Sequence, residues 1–276
     1  MKRLTLLFCV LISSAWAFAD AVEIDGIYYN LIIKAKEAEV VAKPSGYYTG
    51  NIIIPENIEY EDETYSVTAI ANYAFRNCSS MTSIAIPGSV KSTGIASFAY
   101  CTGLKKVIIS DLSAWCNISF TYNPLYYAHH LYNDMGEEIK ELIIPDDVTS
   151  ISNLAFESCT GITSVIIPSG VTSIGYIAFS GCSSLTSVDI PNSVTAIYES
   201  AFEGCSSLTS VTIPNSLTTI SERVFSGCRS LNSAEIPNSI KSIGDYAFYG
   251  CKSLISINIP NNMTWIGAGA FSDCTG

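Results

Sequence analysis

Charge is scarce in this sequence: Asp, Glu, Lys and Arg make up 14% of its 276 residues. What charge there is leans acidic, with 25 acidic side chains against 14 basic ones and a formal net charge of -11. A chain of that sign lacks the basic stripe that holds nucleic acid or anionic lipid, so neither is expected as a partner. Histidine is scarcer still, with two, the adjacent His129 and His130. Nucleophilic catalysis needs a base held by a third group, and the nearby Asp134, Glu137 and Glu138 fall at no spacing that selects them. A metal site needs several ligands at short separations, a pattern absent as well. The chain is therefore expected to be non-catalytic and to carry no cofactor or metal. Past the N-terminus no apolar run approaches the roughly 20 residues that cross a bilayer, so no transmembrane segment is expected in the mature chain.

Apolar residues, by contrast, reach 48%, too many for a disordered chain. The first 19 residues stand apart: Lys2 and Arg3 lead into LTLLFCVLI, and the stretch closes on Ala17, Phe18 and Ala19, with small residues where a signal peptidase reads. This is expected to be a removable export signal cut before Asp20, which implies a secreted or cell-surface protein. Loss of Lys2 and Arg3 leaves the mature chain more acidic still.

The remainder is periodic. Phenylalanines recur at Phe75, Phe98, Phe156, Phe179, Phe202, Phe225, Phe248 and Phe271, each 23 from the next except for a gap of 58 after Phe98. Cysteines follow in the same register, at Cys78, Cys101, Cys159, Cys182, Cys205, Cys228, Cys251 and Cys274. A clear unit reads AFEGCSSLTSVTIPNSLTTI, and its Leu208, Val211 and Ile213 fill an L-x-x-L-x-L core of the kind seen in leucine-rich-repeat solenoids. In TSVTIP, Val211 and Ile213 point one way and Ser210 and Thr212 the other, which is the period of a strand. Prolines at 145, 168, 191, 214, 237 and 260 end each strand, having no amide hydrogen for a ladder. After the proline an isoleucine turns inward, and the stretch up to the next phenylalanine reads as a short outer turn. The predicted fold is an α/β solenoid: a right-handed leucine-rich-repeat superhelix with a parallel β-sheet on its concave face and short helical or 3-10 turns on its convex side. One unit cannot bury its own apolar face, so stability must come from stacking, Phe over Phe and Cys over Cys. Nine cysteines follow the export signal, an odd number that cannot all pair, and an inward place in every turn suits a small buried thiol. Disulfides between adjacent rungs are the alternative.

Two regions break the period. The gap after Phe98 equals one unit of 23 and one of 35, and the extra residues, at about 110–141, form an enlarged irregular repeat rich in aromatics. Trp115, Tyr126 and Tyr127 within it are candidates for a local binding patch, or else plug the longer turn. The head, 20–66, has short apolar runs broken by DG, PSG, TG and EDE, and reads as a β-rich cap of hairpins. The solenoid is then expected over 67–276, with no evident C-terminal cap.

The 23-residue signature AFxxCxxLxSVxIPxSVTxI, together with the DLSAW break, resembles the BspA-like leucine-rich repeat family of bacterial surface and secreted proteins, over roughly residues 50–276. That resemblance implies adhesion: attachment to an extracellular or cell-surface protein such as a host matrix protein. The family supplies no catalytic residues. The expected recognition surface is the concave strand face, whose outward positions include Ser164, Ser187 with Asp189, Ser210 with Thr212, Ser233 with Glu235, and Ser256 with Asn258. It is small-residued and mild, lacking the Trp, Tyr and Arg that anchor tight interfaces. A glycan-binding module and a structural or spacer segment of a larger surface protein are the alternatives.

Overall fold

A computed structural model describes residues 21–276; the expected export segment lies outside the described residues. The chain winds into a solenoid in which each 23-residue turn adds one rung. In the rung that starts at Phe202, the side chains of Phe202, Cys205, Leu208, Val211, Ile213, Leu217 and Ile220 are all buried. Their counterparts in neighbouring rungs are buried too, so the core is one continuous cluster from the N-terminal sheet to the last turns.

Two parallel ladders run along the solenoid. The first begins with Gly50–Ile53, Met81–Ile86, Lys106–Ile109 and Leu131–Tyr132, and resumes with Glu141–Ile143, Ser164–Ile166 and Ser187–Asp189, then Ser210–Thr212 and Ser233–Glu235. Its register is one repeat per rung: Val165 lies beside Leu142 and Val188, and Val211 beside Ala234. The second ladder was not expected from the sequence. It is built from two-residue strands, Ser150–Ile151, Ser173–Ile174 and Ala196–Ile197, then Thr219–Ile220, Ser242–Ile243 and Trp265–Ile266, around the isoleucine that follows each proline, which is buried in all of them but the last. Each proline carbonyl accepts the amide three residues on, as Pro214 does from Leu217 at 3.2 Å, and this bend separates the two strands of a rung.

The outer side is made of turns rather than helix in the regular rungs. The amides of Cys205 and Leu208 reach back three residues, to Phe202 and Cys205, but no run of such bonds is long enough to form a helix. Instead the turn bonds forward to the next rung. The amides of Ser200, Phe202 and Gly204 donate to the carbonyls of Glu222, Val224 and Ser226 at 2.7–3.0 Å. The two flanking donors, two residues before and two after the phenylalanine, both adopt left-handed backbone, Ser200 at φ 57° and Gly204 at φ 71°. The same pair recurs along the solenoid. Glycine fills the second place at 181, 204, 227 and 250, where it relieves the clash of a Cβ with its own carbonyl. The first place holds glycine only at Gly269, and carries even the β-branched Ile177 at φ 59°.

Apart from Gly50–Ile53, the strands within residues 22–70 form a sheet that continues the second ladder. Val22–Ile24, Ile27–Ile32 and Glu37–Val41 run as an antiparallel meander, and Glu37–Val41 lies parallel to Glu63–Ile70. Glu63–Ile70 pairs antiparallel with Asn57–Tyr60 and parallel with Ser92–Thr93, so one strand serves both the head and the solenoid. Tyr48 sets its ring 5.0 Å from Phe75 and begins the aromatic column. From there the rings stack at 5.2–5.8 Å between centroids, from Phe75 to Phe98 and from Phe156 to Phe271.

Candidate interaction surface

Side chains of the first ladder alternate between core and solvent, so each strand presents two outward positions. The first of these forms a column of small hydroxyls, Ser83, Ser164, Ser187, Ser210 and Ser233, interrupted by Lys106 and Glu141. The second column is sorted along its length. It runs Ile53, Ala85, Ile108 and Tyr132, then Ile143 and Ile166, and beyond them Asp189, Thr212 and Glu235. Ile53, Ile143 and Ile166 are 71%, 59% and 55% exposed, far more than an aliphatic side chain in a closed core. The N-terminal half of the face is therefore an apolar ribbon and the C-terminal half is polar and acidic. Ser256 and Asn258, expected on the same face, are exposed but lie in no strand. Strand pairing needs a bonded neighbour, and residues 255–259 make none of the ladder bonds that hold the rungs before them.

The enlarged repeat holds two short helices, α1 (Leu112–Asn117) and α2 (Leu125–Ala128). Asp111 caps α1 by accepting the Ala114 amide at 3.0 Å. Leu125 and Ala128, three apart as Phe and Cys are in a regular unit, are both buried. A hairpin closed by the Tyr132–Glu138 bridge then returns the chain to the ladder at Glu141.

This repeat departs from the regular backbone, and its side chains replace the missing rung-to-rung bonds on both sides. Below it, the amides of Ala96 and Tyr100 would ordinarily donate to the next turn; they donate instead to the Thr121 hydroxyl and the Tyr127 phenol, each at 3.0 Å. Above it, the carbonyl of Ala155 would ordinarily accept a phenylalanine amide. It accepts the Trp115 indole at 2.8 Å and the Asn123 amide at 2.9 Å, and Asn123 also donates to Leu154. Trp115 is thus buried in the joint rather than set out on a binding patch, and Tyr127 is committed by its hydroxyl. Only Tyr126 of that expected trio stands free toward solvent. Asn123 and Thr121 were not singled out in the sequence, and a buried asparagine in an otherwise apolar stretch leaves no periodic signal.

The histidines are engaged as well. His130 Nδ1 lies 2.6 Å from Glu138, and His129 Nδ1 lies 3.1 Å from the carbonyl of Ser158. Among the described residues no three His, Cys, Asp or Glu side chains converge on a metal-sized site, and no helix is long and apolar enough to cross a membrane.

Residues 56–137, 128–234 and 195–276 match the BspA type leucine rich repeat region, in six copies. The chain belongs to this family. The match starts where the second ladder joins the N-terminal sheet and runs through the enlarged repeat, so the BspA-type unit accounts for the regular rungs and the break alike. No curated protein matches the chain. Among solved structures it is similar to a leucine rich cell surface protein from Faecalibacterium prausnitzii, at 24% identity over 93% of each chain with a TM-score of 0.36. It is also similar to the leucine rich repeat protein of T. pallidum, at 22% identity over 93% of this chain and 90% of that one, with a TM-score of 0.44. A leucine-rich repeat protein from Eubacterium ventriosum gives 19% identity over 90% and 93%, with a TM-score of 0.47.

Proposed function

We propose that this BspA-type chain is a secreted or cell-surface protein that holds an extracellular partner protein on its strand face, as a non-catalytic adhesion module. What supports this is the sorting of the outward column, from Ile53, Ile143 and Ile166 to Asp189 and Glu235. Exposed aliphatic residues aligned in register cost solubility and edge protection, and a rigid ladder is a poor place to leave them without use. The occupant that fits is a protein surface with an apolar stretch followed by Lys or Arg, because the acidic half of the face complements such a charge and steers its approach. The resemblance to the BspA type points to host matrix proteins as the panel to test.

The chain without its export segment, immobilised and tested against matrix proteins by surface plasmon resonance, is expected to bind saturably. Joint replacement Ile143→Glu and Ile166→Glu should weaken binding about tenfold by removing desolvated anchors. Ser210→Lys, which introduces an opposing charge, should act in the same direction, and Asp189→Lys with Glu235→Lys should lower the association rate and its salt dependence. Absence of saturable binding at high micromolar concentration across the panel, or binding indifferent to all of these changes, would sink the proposal.

A further inference from the structure

The enlarged repeat leaves over a set of groups that its joint does not use. Tyr100, Tyr122 and Tyr126 are 55%, 46% and 49% exposed. With Thr121, Tyr127, Leu154 and Glu157 they line a cleft of about 330 Å³ on the turn side of the solenoid, away from the strand face. Tyr126 meets Tyr127 edge to face at 5.1 Å, which fixes one wall. Glu157 is half-buried at this cleft, and burial raises its carboxyl above the usual range. Among the described residues no Lys, Arg or His pairs with it. The turn itself does not demand a carboxylate there, since the equivalent places in the following units hold Ser180, Glu203, Ser226, Tyr249 and Ser272.

A desolvated carboxylate beside tyrosine rings is the chemistry that holds a cation. Ring faces attract ammonium and guanidinium groups, and the carboxylate supplies the counter-charge and hydrogen-bond acceptors. The chain does the same with its own cations: the Arg76 guanidinium sits 5.9 Å from the Tyr100 ring, and the Lys106 ammonium 4.0 Å from the Tyr132 ring. A neutral sugar would find the Tyr122 and Tyr126 rings and hydroxyls but would leave the half-buried Glu157 charge without a counter-charge, which a cation supplies.

We propose that this cleft receives one lysine or arginine side chain of a partner protein, its charged head paired with Glu157 beside the rings of Tyr122 and Tyr126, since the Tyr100 ring already faces Arg76, and its stem against Leu154. This site is separate from the strand face and stands or falls without it.

The test is titration of the full chain with acetyl-Gly-Gly-Arg-Gly-Gly-amide and its lysine counterpart, followed by the NMR signals of the tyrosine rings. Both peptides should saturate, and a peptide carrying acetyl-lysine should bind about tenfold more weakly because its charge is gone. Glu157→Gln should weaken binding about tenfold, while leaving the melting temperature unchanged or raised, since it removes a charge that burial disfavours. Tyr126→Ala should weaken it by a smaller factor. The strand-face change Ser210→Lys should leave peptide binding as it was, which separates failure of this site from failure of the strand face. No saturation up to about 10 mM, where even a Kd weaker than millimolar would show, would overturn the assignment. So would equal affinity for the acetyl-lysine peptide, a neutral oligosaccharide binding in place of the cationic peptides, or indifference to Glu157→Gln.

Discussion

Cysteine holds its place in six of the eight repeat positions through one bond. The thiol of Cys182 donates to the carbonyl of Phe156 in the preceding rung at 3.2 Å, and Cys101, Cys205, Cys228, Cys251 and Cys274 repeat this at 3.1–3.3 Å. The carbonyl is buried and faces a site with room for a small group only. A thiol fits because it packs as an apolar atom yet retains a weak donor for the carbonyl's second lone pair, which valine would leave with only the backbone amide of its own turn. Burial also pushes the thiols up, to about 12 at Cys101, Cys116, Cys159 and Cys251. The nucleophilic thiolate is therefore suppressed at neutral and mildly alkaline pH. In the native protein a thiol reagent at pH 8 is expected to label Cys274, which is partly exposed, well ahead of the buried ladder. Denaturation without reductant should release all nine thiols of the described chain, and a count far below nine would replace the thiol ladder with disulfides. The inward position of cysteine could be read from its spacing. Its hydrogen bond could not, because the acceptor lies 26 residues away.

At the scale of the element, the enlarged repeat is the part that the sequence described least well. Its aromatics suggested either a plug or a patch, and the structure divides them: Trp115 and Tyr127 bond to the neighbouring rungs, while Tyr122 and Tyr126 face the cleft. Asn123 carries the most of this joint. It is fully buried, donates to Leu154 and Ala155, and accepts the Leu125 amide at 2.7 Å; that amide depends on it, while the Ala155 carbonyl also accepts the Trp115 indole and the Leu154 carbonyl the Glu157 amide. Asn123→Ala should therefore cost about 2–4 kcal/mol by leaving the Leu125 amide unmatched and removing one bond from each carbonyl. Trp115→Phe, which retains a ring against Phe120 and loses one donor, should cost less, about 1–2 kcal/mol. Chemical denaturation of the two variants checks both figures, and the reverse order would mean that packing rather than hydrogen bonding holds the joint. The regular rungs were more legible because alternation in TSVTIP and the proline after it are local signals. The second ladder was missed because two residues are too few to show a period.

Across the whole molecule, each rung touches only its neighbours, so the effect of a change depends on where along the stack it falls. Phe202 stacks between Phe179 and Phe225 and is fully buried, and Phe202→Ala should cost about 3–5 kcal/mol through the cavity it leaves. Phe271 stacks only on Phe248 and is partly exposed, and Phe271→Ala should cost roughly half as much or less. Equal losses in thermal or urea unfolding would show that the stack does not behave as a chain of neighbour contacts. The candidate surfaces also belong to this scale. The hydroxyl column was legible, since the regular units place a serine there, interrupted by Lys106 and Glu141, but the sorting of its neighbour from isoleucine to acid emerges only when the rungs are aligned in register.

The sequence by itself determined the repeat length, the inward set of Phe, Cys, Leu, Val and Ile, the proline that closes each strand and the acidic character of the chain. All of these follow from local chemistry, the alternation of a strand and the missing amide of proline. The tertiary structure alone decided the second ladder, the left-handed backbone at Ile177 and Ser200, the joint around Asn123 and the cleft at Glu157. Each of these is set by what the next rung offers as a hydrogen-bond partner or leaves open. That partner lies a full turn away in sequence, where no local pattern can reveal it.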